Sequence, residues 1–513
     1  MPLPDISRFA SLEAEEWRAL GLRLAQIGLT SEYLRPITQL GGNLTSELRL
    51  PVQRWHLRRR EDPSAWGARL LMFEDPVCEP EACCALGETL IGRLVKAGMI
   101  VRRHDGAFTC PFHLCIADRI YVFCDDLTHG GDAVMGAGET TLELCRAAYP
   151  VETVGRALEI GCGAGTIALV LAQRAERVVA TDTNPRALAL ARVNAAINGT
   201  GNVEFRAGDA FHPVEGELFD LIVSQPPYAS RPPGAHEAAY LYGGNRGDEL
   251  PMRLLENVCA HLAPRGRAVL LIQWPDAGGP PPEERIPNAT ACDDARVVVL
   301  RYPPTDLDYH CAMYASSEAR PGSHALDERF SLWRGHLESL GIQRLQSTLM
   351  TIQRDPEVPA WTAALDLPQE STDQVTSASI DQLIANYNLA NTDSDSLLRS
   401  TLRPPAGTIF TKEYTLDDAS KPAIRAHLSE ASYSRSVELS EGSLLLISLV
   451  AEAETVAAAV EEFAARQGVT PAQALQNMEP AIRQSLKLGM LSASPNCLGR
   501  SCRHRKRPLS SGK

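Results

Sequence analysis

The sequence lacks any apolar run that approaches the ~18–20 residues needed to span a membrane as a helix. Residues 1–30 also lack a basic start followed by an apolar core, which is the pattern of a secretory signal. These two absences predict a cytoplasmic protein that does not enter a membrane. The length of 513 residues favours three or four domains and is ample for large hydrophobic cores.

The 13 cysteines lack the paired Cys-x2-Cys spacing that marks structural zinc sites. Groupings such as Cys83 with Cys84, Cys110 with Cys115, and Cys497 with Cys502 do not have that spacing. Its absence predicts that the protein holds no metal. It also predicts that the cysteines are reduced and mostly buried thiols, as is usual in the cytoplasm.

Positive charge is scarce as well, because 50 Lys and Arg face 63 Asp and Glu, which gives a formal net charge of −13. Nucleic-acid binding normally requires a basic face, so this balance argues against a general nucleic-acid binder. Two basic segments, residues 54–60 and 500–507, leave local nucleic-acid contact open. A solvated helix face for the first segment and a disordered tail for the second are the favoured explanations.

The most informative segment is residues 157–165, which read Ala-Leu-Glu-Ile-Gly-Cys-Gly-Ala-Gly. An apolar run that breaks into Gly161, Gly163 and Gly165 predicts a buried parallel strand, a tight turn and then a helix over 166–175. Glycines let the backbone approach a ligand where a β-carbon would collide, and the helix N-terminus offers free N–H groups. Such a turn alone fits a dinucleotide as well as S-adenosylmethionine.

Polar residues follow at the ends of the next predicted strands. Strand 177–182 ends in Asp182, whose carboxylate can accept hydrogen bonds from both hydroxyls of a ribose. The following strand leads to Asp209, which can accept from the exocyclic amine of an adenine. Strand 218–224 then ends at Gln225-Pro226-Pro227-Tyr228. Because open α/β sheets bind ligands at the carboxyl ends of their strands, these residues are predicted to meet at one edge.

This ordered series resembles the class I S-adenosylmethionine-dependent methyltransferases over residues 129–275. The tetrapeptide narrows the resemblance to the amino-methyltransferase branch with an Asn/Asp-Pro-Pro-Tyr/Phe motif. That branch includes release-factor glutamine methyltransferases and the adenine-N6 and guanine-N2 nucleic-acid methyltransferases. Residues 242–250, with Gly243, Gly244 and Gly247, resemble the glycine-rich segment of the glutamine-modifying branch.

The resemblance implies S-adenosyl-L-methionine as the cofactor and a Rossmann-like α/β sheet around it. The residues implied to contact the cofactor are Glu159, Gly161, Gly163, Gly165, Asp182, Asp209 and Ala210. The residues implied to bind the methyl acceptor are Gln225, Pro226, Pro227 and Tyr228. Catalytic roles are implied for Gln225, Pro226 and Tyr228.

The chemistry explains these residue types, because a planar amide or aniline-like nitrogen is a poor nucleophile with a delocalised lone pair. An acceptor side chain at position 225 and the carbonyl of Pro226 can take its two N–H hydrogens, while Tyr228 stacks on the planar group and excludes water. Such catalysis is mostly positioning and can lower the barrier by ~7–11 kcal/mol. Gln225 departs from the family's Asn or Asp. Either the pocket is rebuilt around a differently placed substrate, or activity is lost and Gln225 only caps the strand end.

Smaller α+β domains are predicted on both sides of the catalytic domain. The helical pattern at 84–99 and the hairpin pattern after it resemble a winged helix, and residues 486–491 repeat the end of that helix. Residues 275–289 are predicted as a Pro/Gly-rich loop. The predicted domains are an N-terminal winged-helix-like domain 1–128, a methyltransferase domain 129–354, a linker 355–400, a C-terminal winged-helix-like domain 401–496 and a basic disordered tail 497–513.

Three functions stay open. Net acidity and the segment 242–250 favour an N-methyltransferase that acts on an amide or amino nitrogen of a protein, peptide or natural-product precursor. The alternative is a nucleic-acid base methyltransferase acting on adenine N6 or guanine N2, for which Tyr228 and two winged helices would serve equally. The third is a pseudoenzyme that binds the cofactor and acts as a scaffold. The expected partner is a protein or peptide, and the sequence does not determine the oligomeric state.

Overall fold

The computed structural model describes residues 3–40, 46–127, 131–235, 240–290, 292–319, 323–368, 374–413, 423–428 and 435–493. These residues belong to two compact units, residues 1–365 and residues 366–513. The predicted basic tail 497–513 lies outside the described residues. Of the helices described, none is long and apolar enough to cross a membrane.

The first unit begins with the helices α1 (Ala14–Gln26), α2 (Ser31–Thr38), α3 (Ser46–Leu57), α4 (Pro63–Leu71), α5 (Glu79–Leu86) and α6 (Glu88–Ala97). Polar side chains stabilise their ends. Asp62, for example, accepts a hydrogen bond from the backbone N–H of Ala65 at the start of α4. Helix α6 ends at Gly98, whose φ of +80° lies in the left-handed region that favours glycine.

Two antiparallel hairpins follow these helices. Strand β1 (Val101–Arg102) pairs with β2 (Phe108–Thr109), and β3 (His113–Ala117) pairs with β4 (Ile120–Cys124). The helix predicted over residues 84–99 is interrupted at Gly87, which has a φ of +84° and separates α5 from α6. The predicted hairpin is present as β1 and β2. Its assignment to a winged helix stays a prediction.

Helices and strands then alternate along the chain. The first of these elements are α7 (Glu139–Ala148), β5 (Val154–Ile160), α8 (Thr166–Leu171), β6 (Ala175–Asp182), α9 (Pro185–Asn198), β7 (Val203–Ala207), β8 (Phe219–Ser224), β9 (Ala229–Ser230), β10 (Tyr242–Gly244) and α10 (Glu249–Val258). The series continues with β11 (Leu262–Asp276), α11 (Pro282–Thr290), β12 (Ala295–Arg301), α12 (Leu307–Glu318), α13 (His324–Ser339), β13 (Arg344–Arg354) and β14 (Trp361–Asp366).

The central feature of this unit is an eight-stranded sheet in the order β14-β12-β13-β11-β8-β5-β6-β7. Five neighbouring strands of this sheet run parallel to one another, namely β11, β8, β5, β6 and β7. Strand β13 runs antiparallel to both β11 and β12. The central parallel strands are buried on both faces, which is why their sequences read as continuous apolar runs. The predicted α/β class is therefore confirmed.

Helix α9 joins the N-terminal elements to this sheet. Its buried Asn194 accepts a hydrogen bond from the N–H of Phe123 at 2.8 Å and donates to the carbonyls of Phe123 and Ala164, each at 2.9 Å. Arg186 of the same helix pairs with the buried Asp125 at 2.6 Å. One hydrophobic core contains residues from both sides of position 128. The domain boundary predicted at 128/129 is therefore wrong, because residues 1–128 and the sheet pack as one unit.

The second unit contains α14 (Ser377–Ala390), α15 (Ser394–Leu398), β15 (Leu402–Arg403), β16 (Ile409–Glu413), β17 (Ala423–Leu428), β18 (Arg435–Leu439), α16 (Glu441–Glu452), α17 (Val456–Gln467), α18 (Pro471–Lys487) and β19 (Ser492–Ala493). Strands β16, β17 and β18 form an antiparallel sheet, and β15 pairs with β19. Its similarity to a winged helix stays a prediction.

The predicted linker 355–400 includes the boundary between the two units, and its described residues, 355–368 and 374–400, also contain regular structure. Strand β14 is the edge strand of the large sheet, and α14 buries Leu383 among other residues. Two of the Ser, Thr and Asp residues that suggested a linker are helix caps. Thr376 accepts from the N–H of Ser379 at the start of α14, as Asp393 does for α15.

Two further expectations are corrected. The segment 275–289, predicted as a loop, contains most of helix α11. Two of the three consecutive prolines at 280–282 precede this helix, and the third is its first residue. The prediction of reduced cysteines fails for Cys259 and Cys292, which form a disulfide between positions 33 residues apart. Cysteine spacing alone could not show this pairing, because the two residues are distant in sequence.

The histidine of α12 gives the first unit a predicted sensitivity to acid. His310 is 4% exposed and packs against the rings of Tyr314 and Trp333, and its Nε2 has no hydrogen-bond partner among the described residues. Burial lowers the pKa of His310 to about 4, below the unperturbed 6.5. Its contribution to stability is therefore complete above pH 6.5 and is lost as the pH falls towards 4.

We expect the free energy of unfolding of the wild type to fall by about 2 kcal/mol more than that of His310→Phe between pH 7 and pH 5. His324 is 87% exposed, so His324→Gln should keep the wild-type pH dependence. Urea unfolding at several pH values measures this difference. Parallel curves for the wild type and His310→Phe would contradict the assignment.

Candidate active site

Strand register brings the predicted site residues together at the carboxyl edge of the large sheet. Ile160 of β5 pairs with Thr181 of β6 on one side and with Ser224 of β8 on the other. The residues that come next in the chain are Gly161, Asp182 and Gln225. Neighbouring strands lie about 4.8 Å apart, so these three residues begin adjacent loops on one edge. The prediction that these segments meet is confirmed.

The glycine turn has the backbone that its sequence requires. Gly161, Gly163 and Gly165 have φ angles of +73°, +50° and +84°. A β-carbon at Gly161 would meet no described atom within 4 Å, so this residue faces open space. A β-carbon at Gly165 would lie 3.0 Å from that of Ala191 in α9. The first glycine is therefore the one that leaves room for a ligand, and the third allows the helix to pack closely.

Asp182 closes the turn from the next strand. Its Oδ2 accepts from the N–H of Gly163, and its Oδ1 accepts from the N–H of Asn184, both at 2.8 Å. Burial is the largest influence and raises the pKa of Asp182, while these backbone donors lower it. A carboxylate oxygen has more than one acceptor position, so each can still accept a hydroxyl hydrogen. This geometry suits a ribose diol, and contact between Asp182 and a ribose stays a prediction.

Glu159 is 2% exposed and lies beneath the turn. Its Oε2 accepts from the N–H of Ala168 in α8 at 2.7 Å. Burial raises the pKa of Glu159 well above its usual value, and the charge of Asp182 raises it further. The contact that the structure gives Glu159 is thus with the helix that follows the turn. Its direct contact with the cofactor stays a prediction.

Asp209 and Ala210 follow β7 at the same edge. Asp209 is more than half exposed and pairs with Arg253 of α10, with 2.8 Å between Oδ1 and the guanidinium. Ala210 has a φ of +48°, a conformation that non-glycine residues rarely adopt. Such a residue often lies at a functional site. The predicted role of Asp209 towards an adenine amine requires that it share its carboxylate with Arg253.

Gln225 is held by the first turn of α7. Its Nε2 donates to Oγ1 of Thr140 at 2.7 Å, and its Oε1 accepts from Oγ1 of Thr141 at 3.1 Å. Pro226 is buried, whereas Gln225 and Pro227 are partly exposed. The amide of Gln225 is therefore fixed by a helix that is separate from its own strand.

Tyr228 lies in a set of aromatic and acidic side chains that sequence reasoning missed. Burial raises the pKa of Tyr228, a hydrogen bond from Gln225 lowers it, and the nearby charge of Glu143 raises it. Tyr314 of α12 lies close enough to Tyr228 for that phenol to raise its pKa, although burial is the larger cause. Glu143 is on α7 and Tyr314 is on α12, so no local motif linked them to the tetrapeptide.

The glycine-rich segment 242–250 packs directly on the tetrapeptide loop. Strand β10 pairs in parallel with β9, which follows Tyr228. A β-carbon at Gly243 would lie 2.2 Å from the carbonyl oxygen of Gly247 and 2.6 Å from that of Pro227. A β-carbon at Gly247 would lie 2.4 Å from the carbonyl oxygen of Tyr228. These glycines are required because two backbone segments touch there.

One group of possible metal ligands occurs among the described residues, and it involves none of these loops. Glu74, His113 and Asp126 each place one ligand atom within 4.8 Å of the others. Glu74 also lies 3.6 Å from the guanidinium of Arg54, which supplies positive charge without a metal ion. The candidate active site itself is built from carboxylates, amide groups, hydroxyls and aromatic rings.

Comparison with known proteins gives the family context of this site. The methyltransferase small domain family matches residues 142–240. Release factor glutamine methyltransferases are similar in sequence. The one from Koribacter versatilis is 38% identical and covers 25% of this chain and 48% of its own length. The one from Xylella fastidiosa is 37% identical, and the match covers 23% of this chain and 47% of the relative. The one from Aquifex aeolicus is 35% identical, and the match covers 26% of this chain and 50% of the relative.

The chain thus spans about half the length of these relatives. Among solved structures, Trm5b from Pyrococcus abyssi is 15% identical with a TM-score of 0.31, and the match covers 48% of this chain and 56% of that one. A likeness this low carries no argument about activity.

The close contact at Gly243 yields a second prediction. Gly243→Ala places a methyl group against two carbonyl oxygens, so we expect the free energy of unfolding to fall by ~1–3 kcal/mol. Gly279 is the matched control, because a β-carbon there would meet no described atom within 4 Å. Gly279→Ala should change stability by less than about 0.5 kcal/mol. Chemical denaturation compares the two variants, and equal stabilities would show that the segment does not touch the tetrapeptide loop.

Proposed function

We propose that this chain, which carries a class I S-adenosylmethionine-dependent methyltransferase domain, methylates an amide or amino nitrogen of a protein or peptide. The observation that supports this most strongly is the row formed by Gly161, Asp182 and Gln225 at one sheet edge. It combines a nucleoside-binding turn with a planar hydrogen-bonding group. A dinucleotide site would supply the first feature but has no need of the second.

S-adenosyl-L-methionine is the cofactor of this domain and supplies an electrophilic methyl group on a sulfonium. We propose that Asp182 accepts hydrogen bonds from the ribose hydroxyls. Gly161 leaves space for the remainder of the nucleoside, and Asp209 accepts from the adenine amine. Glu159 supports the turn through Ala168.

The acceptor side of the site contains Gln225, Pro226, Pro227 and Tyr228. Oε1 of Gln225 and the carbonyl oxygen of Pro226 accept hydrogen bonds from the two N–H groups of the target nitrogen. Its lone pair then points out of the amide plane towards the methyl group. Tyr228 stacks on the planar group and excludes water. These residues accelerate the reaction by positioning, which can be worth ~7–11 kcal/mol.

A glutamine side chain of a release factor is the favoured acceptor. Two observations support it: the relatives named above are release factor glutamine methyltransferases, and the segment 242–250 that resembles theirs packs on the tetrapeptide loop. The net charge of −13 disfavours a nucleic-acid acceptor. We propose that helix α6 and the hairpin of β1 and β2 help to bind this macromolecular substrate.

Two alternatives remain distinct from this proposal. A nucleic-acid base methyltransferase would use the same four residues on an exocyclic amine. A pseudoenzyme would bind S-adenosylmethionine and transfer nothing. Methyl transfer to a purified release factor, compared with transfer to tRNA and to DNA oligonucleotides, separates all three.

The role of Gln225 gives a third prediction. With the cofactor saturating, Gln225→Ala should lower single-turnover methyl transfer to release factor at least about 100-fold and leave cofactor affinity nearly unchanged. Gln225→Asn should also impair transfer, because the shorter side chain retracts its amide from the acceptor. Tyr228→Ala should weaken both acceptor binding and rate, since it removes the stacking ring.

Gln476 provides the control for this series, because it is an exposed glutamine of α18. Gln476→Ala should keep the wild-type rate. A wild-type rate for Gln225→Ala would overturn the catalytic role of this residue and direct the search to the loop 229–248.

A further inference from the structure

Gln225 makes an unusual set of internal hydrogen bonds for a residue that must also bind substrate. Thr140 and Thr141 occupy consecutive positions at the start of α7, and their hydroxyls contact the amide nitrogen and the amide oxygen respectively. The two threonines are more than 80 residues away in sequence, so the contact depends on the tertiary fold.

The bonds to the two threonines leave part of the hydrogen-bonding capacity of Gln225 unused. A primary amide has two N–H donors and two oxygen lone pairs. Thr140 accepts from one of the two donors of Gln225, and Thr141 donates to one of the two lone pairs. One lone pair on Oε1 remains, and it can only accept. The two hydroxyls thereby fix which side of the amide carries the oxygen, so that this lone pair is oriented to receive an N–H.

The helix that carries the threonines is itself fixed. Leu144, Cys145, Ala147 and Ala148 are buried along α7. The loop before it passes so close to the β3–β4 hairpin that a β-carbon on Gly136 would lie 2.5 Å from Sγ of Cys124. A side chain attached to such an element is positioned more accurately than one attached to a free loop.

We propose that Thr140 and Thr141 are positioning residues that hold Gln225 so that a single lone pair of Oε1 faces the methyl acceptor. The inference rests on the proposed function. Glutamine has one more rotatable bond than the asparagine of the related motif, and the two hydroxyls restrict that extra freedom. The acceptor must then bring an N–H to this lone pair, as a primary amide or an exocyclic amine does.

The kinetic test removes the hydroxyls and keeps the shape. Thr140→Val and Thr141→Val should each lower kcat for methylation of release factor about tenfold, because each substitution removes one hydrogen bond that holds the amide of Gln225. KM for release factor and affinity for S-adenosylmethionine should change less than about threefold. Thr140→Ser and Thr141→Ser restore the hydroxyl and should rescue the rate. In the Gln225→Ala background, the valine substitutions should have no further effect.

A second measurement does not depend on the acceptor. In protein labelled with ¹⁵N-glutamine, the side-chain amide signals of Gln225 are those missing from Gln225→Leu. Their exchange with solvent should be slow in the wild type, faster in Thr140→Val and slow again in Thr140→Ser. Equal exchange rates in the wild type, Thr140→Val and Thr140→Ser would show that Thr140 does not hold Gln225, whatever the substrate is.

The kinetic and amide-exchange measurements distinguish failure of the proposed function from failure of the positioning role. If the wild type does not methylate release factor, the proposed function fails, and the exchange rates still decide whether the threonines hold Gln225. If release factor is methylated but the valine and Gln225→Ala effects are additive, the threonines act elsewhere and the positioning role is wrong.

Discussion

The register of the parallel strands β5, β6 and β8 is the constraint on which the whole site depends. It places Gly161, Asp182 and Gln225 in one row, and a slip by one residue would turn every side chain to the opposite face. The buried Glu159 reinforces this arrangement from below, because its bond to Ala168 fixes the helix that follows the turn. Burial raises the pKa of Glu159 and costs stability. This cost falls at the position where the glycine turn has to be fixed.

Elements outside the sheet complete the site from three directions. Asn194 of α9 joins the hairpin strand β4 to the glycine turn through Phe123 and Ala164. Helix α7 brings its hydroxyls to Gln225, and α12 brings Tyr314 towards Tyr228. The N-terminal region therefore packs with the sheet in one unit, and the proposed acceptor site is assembled from segments that lie far apart in the chain.

The sequence predicted the sheet strands and the residues at their ends because both leave local signals: apolar runs, glycine spacing and a short motif. It did not predict Thr140, Glu143 or Tyr314, because nothing in a helix marks which surface residue will face a loop more than 80 residues away. The sequence also underestimated the regular structure within residues 355–400, for a related reason. Ser, Thr and Asp occur both in flexible chain and in helix caps, and only burial of residues such as Leu383 distinguishes the two.

A crystal structure of the protein with S-adenosylhomocysteine would test the central claim most directly. The account predicts the ribose hydroxyls on the carboxylate of Asp182, the nucleoside over Gly161 and the sulfur atom on the side of the site that contains Gln225 and Tyr228. The amide of Gln225 should still be bonded to both threonines, with one face of Oε1 open towards the sulfur. A nucleoside bound away from this sheet edge, or an amide of Gln225 turned away from the sulfur, would contradict it.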